Sequence, residues 1–224
     1  MTTGTASDTG TAAAPASAGK SGAPAPIDFY FDFLSSYGYF ASLRIEAIAA
    51  RHGRSVRWHC MLLGVAVMKV MGLKPLLETP LKGAYVLQDF ARYQRRHGLE
   101  LARKANDPMM DPRPAARAFC WVKRQHPGLE GAFAHAVFDR YWRLGRDLSR
   151  HDEIGTLAAA LGLDEAALIG GVESDETRAD LRNAVAASLD RGVFGSPFVI
   201  VDGEPFWGSD RLEQVDDWLA RGGW

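Results

Sequence analysis

Three short segments carry residue types able to do chemistry together. The first, Asp32-Phe33-Leu34-Ser35-Ser36-Tyr37, sets two serine hydroxyls where an alternating apolar run gives way to a helical pattern. A helix starting there turns unpaired N–H groups and a positive dipole end toward those hydroxyls. A thiolate held at such a place is stabilised, and thiol pKa values near helix N-termini fall. Ser35 or Ser36 serves equally well as a plain N-cap. The second segment, Val193-Phe194-Gly195-Ser196-Pro197-Phe198, opens an apolar run with a proline, whose missing N–H costs no interior ladder bond there. A trans bond is the ordinary expectation before Pro197. A cis bond would turn the Ser196 backbone N–H and C=O outward, ready to pair with a peptide-like ligand as an added strand. The third, Phe206-Trp207-Gly208-Ser209-Asp210-Arg211, is a turn feeding a helix. The N–H groups of Ser209 and Asp210 can hold a carboxylate and the Asp210 side chain an ammonium, so one amino-acid head group satisfies both. A simple helix cap explains the same residues.

Other chemistries find less support. The six histidines show no zinc spacing, and no metal site is expected. No P-loop, G-x-G-x-x-G or G-x-S-x-G elbow is present. Glu78, Asp107 and Asp111 are scattered loop carboxylates. The two cysteines, Cys60 and Cys120, lie far apart in apolar stretches and form no Cys-x-x-Cys pair, which disfavours a dithiol oxidoreductase. Lys69 sits within Val67-Met68-Lys69-Val70-Met71; such a lysine ordinarily snorkels to the surface, but facing inward it can grip a substrate carboxylate.

The elements that must position these residues are legible from periodicity. Ile27, Phe29, Phe31 and Phe33 alternate with Asp28, Tyr30 and Asp32 as in a strand, and Phe40, Leu43, Ala47 and Ile48 then recur at helical spacing up to Gly53. Val56, Trp58, Cys60 and Leu62 alternate again, completing a βαβ unit with a parallel pair. From about Gly64 to Gly192 nearly everything reads helical, with breaker-rich loops over 72–80 and 107–114. Phe198 to Val201 is a short β-branched run, Asp202-Gly203 is a strong hairpin signal, and Glu204 to Trp207 returns antiparallel. A last helix starts near Ser209-Asp210 with Leu212, Val215 and Leu219 inward, and Asp210 with Glu213 fits an acidic capping box. The expected fold class is therefore α/β, a thioredoxin-like fold with an inserted all-helical domain. Residues 27–63 and 193–224 form the thioredoxin-like part, and 64–192 the helical insertion with its connecting helices.

The 224 residues are 47% hydrophobic and 24% charged with a formal net charge of −1, an ordinary globular composition. That charge gives no general reason to expect nucleic acid as a partner, and the basic run Arg92 to Arg96 reads as a solvated helix face. Residues 1–26 are small and polar and read as a disordered tail, without the apolar core of a secretory signal. No stretch approaches the length a membrane span needs. A cytoplasmic location fits the cysteine usage.

Taken together, Phe29-Tyr30-Phe31-Asp32-Phe33-Leu34-Ser35-Ser36-Tyr37, the Val193 to Phe198 segment and Trp207-Gly208-Ser209-Asp210-Arg211 resemble, in order and spacing, the 2-hydroxychromene-2-carboxylate isomerases and the related kappa-class glutathione transferases. The resemblance implies glutathione as cofactor, a cis bond before Pro197, and Ser35 as the catalytic residue beside the glutathione thiol, which adds reversibly to the substrate. It implies further that Ser35, Ser196, Pro197, Trp207, Gly208, Ser209 and Asp210 bind glutathione, and that Lys69 contacts the carboxylate of an aromatic substrate in aromatic-compound degradation. A homodimer is implied too. The chain departs from the family pattern in three places. Ser36 stands where proline is usual, Leu73 where asparagine is common, and Leu76 and Leu77 near a polar pair, so a greasier acceptor pocket is expected. The alternatives are a kappa-like transferase and a non-catalytic thioredoxin-fold module that grips an extended peptide at Pro197.

Overall fold

The computed structural model describes residue 1 and residues 24–224; most of the expected disordered tail lies outside the described residues. Four strands, β1 (Ile27–Phe31), β2 (Val56–Cys60), β3 (Phe198–Val201) and β4 (Glu204–Trp207), form one mixed sheet in the order β2-β1-β3-β4. β1 runs parallel to β2, with Phe31 opposite Cys60, and antiparallel to β3, with Tyr30 opposite Phe198. β3 and β4 close the hairpin expected at Asp202-Gly203, whose positive φ values of 52° and 98° are the ones an Asp-Gly turn tolerates. Because β1 ends where β3 begins and β4 ends, all three chemistry-bearing segments meet at one end of the sheet.

The helices are α1 (Ser36–Arg51), α2 (Lys82–His97), α3 (Arg113–Gln125), α4 (Glu130–Phe138), α5 (His151–Ala160), α6 (Glu165–Glu173), α7 (Asp175–Asp190) and α8 (Leu212–Arg221). Gly53, at φ 65°, follows the C-cap of α1 as expected. Residues Gly64–Val70 form a π-helical segment and Leu76–Glu78 a 3-10 turn. One hydrophobic cluster joins Phe29, Phe31 and Trp58 of the sheet to Phe119 and Phe138 of the insertion and to Leu212 and Val215 of α8. Phe31 meets Phe119 edge-on at 5.2 Å, a contact that fixes the insertion to the strand leading to Ser35.

β1 forms as its alternation predicts and is buried on both faces: Asp28 is held among His59, Arg191 and Arg57, and Asp32 is enclosed. Two local expectations are corrected. β2 stops at Cys60 rather than reaching Leu62, because the chain then bends to bring the Leu63 N–H onto Asp32. The capping box does not form. A 3-10 turn, Ser209–Arg211, precedes α8, and Glu213 is drawn instead to Arg44 at 2.8 Å.

Candidate active site

Ser35 is the N-cap of α1, with extended backbone angles, and its Oγ accepts from the Gly38 N–H at 2.9 Å. The plain capping reading is therefore correct as far as it goes. The hydroxyl also donates its own proton to the Ser196 carbonyl at 2.8 Å, across 161 residues of sequence. Ser196 is itself fixed from the other side, its Oγ accepting from the Asp32 N–H at 3.0 Å. The Ser196-Pro197 bond is cis. The Gly208 N–H donates to the Pro197 carbonyl at 3.0 Å, tying the end of the hairpin to the same point. Ser35, Ser196, Pro197 and Gly208 are thus brought together by a continuous set of hydrogen bonds.

Two residues that sequence reasoning did not assign to the site hold it in shape. Asp32 is 1% exposed, and its carboxylate accepts from the Leu34 N–H at 2.8 Å and from the Leu63 N–H at 2.6 Å. Burial raises its pKa to about 6, while the two N–H donors pull the other way. Gly38 fills the remaining space: a Cβ there would stand 2.7 Å from Ser196 Oγ and 3.1 Å from Ser35 Cβ. The signal for both was Asp32 and Gly38 flanking Ser35 at three residues on either side, but only the tertiary contacts give it meaning. Tyr37, in the first turn of α1, reaches to α2 by donating to Asp89 at 2.8 Å. Burial, then the Asp89 bond and nearby acidic groups including Asp210, push its phenol upward.

At the turn after β4, the Ser209 and Asp210 N–H groups find no acceptor among the described residues, while the Asp210 carboxylate faces solvent with Arg211 at 3.1 Å. Gly208 has φ 113°, and a Cβ on it would meet Asp210 Oδ1 at 2.4 Å. Trp207 is 56% exposed; its indole lies against Gly195, where a Cβ would come within 2.3 Å, and its ring centroid is 4.8 Å from that of Phe194. Its side chain packs on the segment before Pro197. Lys69 is exposed and unpaired among the described residues, on the π-helical segment that grows from the Leu63 end stapled to Asp32. Leu73 and Leu76 follow it, also exposed.

A γ-glutamyl-cysteinyl-glycine ligand fits this donor set by chemistry. The Ser196 backbone can meet a peptide unit, the free N–H groups at Ser209 and Asp210 an amino-acid carboxylate, and the Asp210 side chain its ammonium. The protein's own thiols do not compete: Cys60 and Cys120 are buried, burial raising Cys60 and pushing Cys120 up to about 12. No group of three or more metal-ligating side chains occurs among the described residues.

A family model for the DSBA-like thioredoxin domain matches residues 26–220. The chain is 30% identical over 194 residues to a 2-hydroxychromene-2-carboxylate isomerase of Sphingobium xenophagum, covering 86% of this chain and 97% of that relative. It is 24% identical over 215 residues to a glutathione S-transferase kappa 1 of Caenorhabditis elegans, covering 87% and 91% of the two. Among solved structures, a 2-hydroxychromene-2-carboxylate isomerase aligns with a TM-score of 0.75 and 23% identity over 87% of this chain and 94% of that one, a likeness of fold.

Proposed function

From the premise that this chain belongs to the DSBA-like thioredoxin family, in the group of 2-hydroxychromene-2-carboxylate isomerases and kappa-class glutathione transferases, we propose that it is a glutathione-dependent isomerase of the 2-hydroxychromene-2-carboxylate type. The observation that carries this reading is the Ser35 hydroxyl, fixed at the start of α1 and bonded at 2.8 Å to the Ser196 carbonyl. When bound, glutathione supplies a thiolate nucleophile that adds to and leaves from a carbon conjugated with a carbonyl. Ser35 is a stabiliser of charge on that sulfur and not itself the attacking atom. Its oxygen is held by the Gly38 N–H, so the hydroxyl can swing its proton from the Ser196 carbonyl toward sulfur without losing its anchor. The positive end of α1 adds to the same effect. Ser196 and Pro197 hold the tripeptide's backbone. Trp207 and Gly208 shape the turn that offers the Ser209 and Asp210 N–H groups to its glutamyl end. Lys69 orients the substrate carboxylate.

Leu73 and Leu76, exposed and apolar beside Lys69, favour a second outcome at the same site, conjugation of a greasier acceptor as in a transferase. Product identity separates the two. For either outcome, Ser35→Ala is expected to keep glutathione binding by calorimetry while turnover falls at least about tenfold, the loss of one preorganised hydrogen bond to developing charge. Unchanged turnover removes Ser35 from the mechanism. Absence of glutathione binding to the parent chain at about 1 mM would instead favour the peptide-binding module.

A further inference from the structure

A groove of about 480 Å³ runs between α3 and α7, with Leu62 and Val65 of the segment after β2 also lining it. The two helices are antiparallel: Arg124 at the end of α3 meets Thr177 at the start of α7 at 3.1 Å. Arg113 and Arg117, one turn apart on α3, therefore face the middle and later turns of α7, where Val185 and Leu189 line the groove, while Arg178 and Arg182, again one turn apart, enter it from the first two turns of α7. Leu181 and Val185 supply apolar surface between them.

Four guanidinium groups around one apolar groove repel one another unless anions compensate them. Two are compensated within the chain, Arg113 by Asp111 at 2.6 Å and Arg178 by Glu173 at 2.8 Å. Among the described residues neither Arg117 nor Arg182 forms an ion pair, and the Arg117 Nε is buried without a hydrogen-bond partner. Buried donors are normally satisfied, and guanidinium forks match carboxylates in particular. The geometry points to a second ligand site here, for a molecule with an apolar body and a single carboxylate, its charge held by Arg117 and Arg182. None of Ser35, Ser196, Asp210 or Lys69 lines this groove, so the inference does not rest on the activity proposed above, although Leu62 and Val65 flank Leu63, whose N–H bonds Asp32.

Calorimetry on the full chain tests it, with 2-naphthoate and decanoate as separate titrants and the uncharged 2-naphthalenemethanol as control. At least one carboxylate is expected to bind at or below about 1 mM, in an event that the double change Arg117→Gln, Arg182→Gln weakens at least about tenfold. That event persists in Lys69→Ala, and the two titrants decide between a ring and a chain as the apolar body. Because Arg117 is partly buried, the single exposed change Arg182→Glu is the second variant, with circular dichroism verifying its fold and the same weakening expected. The proposal is overturned if neither carboxylate binds, if the alcohol binds as well as 2-naphthoate, or if all binding survives both arginine variants.

Discussion

A β-carbon on Gly38 would reach within 2.7 Å of the Ser196 hydroxyl, and the hydroxyl has nowhere to retreat because it accepts from the Asp32 N–H. In most helices exchanging glycine for alanine stabilises by about 1 kcal/mol. At position 38 the sign should invert. Gly38→Ala is expected to lower the Tm by about 3 °C or more and to weaken glutathione binding, since Ser196 must shift to make room. A rise in Tm with unchanged affinity, read by thermal denaturation and calorimetry, would show that Ser35 and Ser196 have slack. Legibility at this scale is uneven. Ser35 reads as a cap from its position alone, and the structure agrees; its second bond, to a carbonyl 161 residues away, has no local signature. Asp32 and Gly38 stand in the motif, but their roles depend on partners at separations of 164 and 158 positions that no periodicity encodes.

Asp32 couples two elements, because one carboxylate receives the N–H groups of Leu34 before α1 and Leu63 before the π-helical segment. Its pKa stands at about 6, against an ordinary 3.8. At pH values below the ordinary one the group is protonated in folded and unfolded chains alike. Between them only the folded chain holds the proton, and above 6 neither does. The stability tied to that proton is therefore full at low pH and is lost as pH rises through about 6, by roughly 2–3 kcal/mol. Urea denaturation of the parent chain and of Asp32→Asn should give a stability difference that declines, at the parent's expense, from about pH 4 to pH 6 and is flat beyond. A difference constant across that range would contradict the burial of this group. Cys60 and Tyr141 also sense the Asp32 charge, and both have their pKa raised chiefly by burial. Among the elements, the β3–β4 hairpin is legible residue for residue because Asp-Gly accepts the positive φ values a tight turn needs. The start of α8 is not, since Arg44 from α1 competes for Glu213. Nor does any local pattern separate the π form of Gly64–Val70 from an ordinary helix.

Across the whole molecule, the insertion and the sheet share one hydrophobic cluster, so the end of β1 cannot move independently of α3 and α4. The α/β order with a long helical insertion is legible from periodicity; that the two parts share a core is not, because it rests on aromatic contacts such as Phe31 with Phe119. Both native thiols lie inside this cluster with raised pKa values, and they take no part in the proposed catalysis. Iodoacetamide at neutral pH is expected to leave the folded chain unlabelled by mass spectrometry, and Cys60→Ser with Cys120→Ser to retain glutathione-dependent turnover. Loss of turnover in a folded double variant would mean that the reactive sulfur is the protein's own. The central claim is that Ser35 tunes a borrowed sulfur, and ultraviolet absorbance of the thiolate reads it directly. With glutathione bound, the thiol's titration midpoint should fall by about one pH unit or more below that of the free tripeptide, and Ser35→Ala should return it most of the way. A midpoint that matches free glutathione, or one that Ser35→Ala leaves unmoved, would contradict the account.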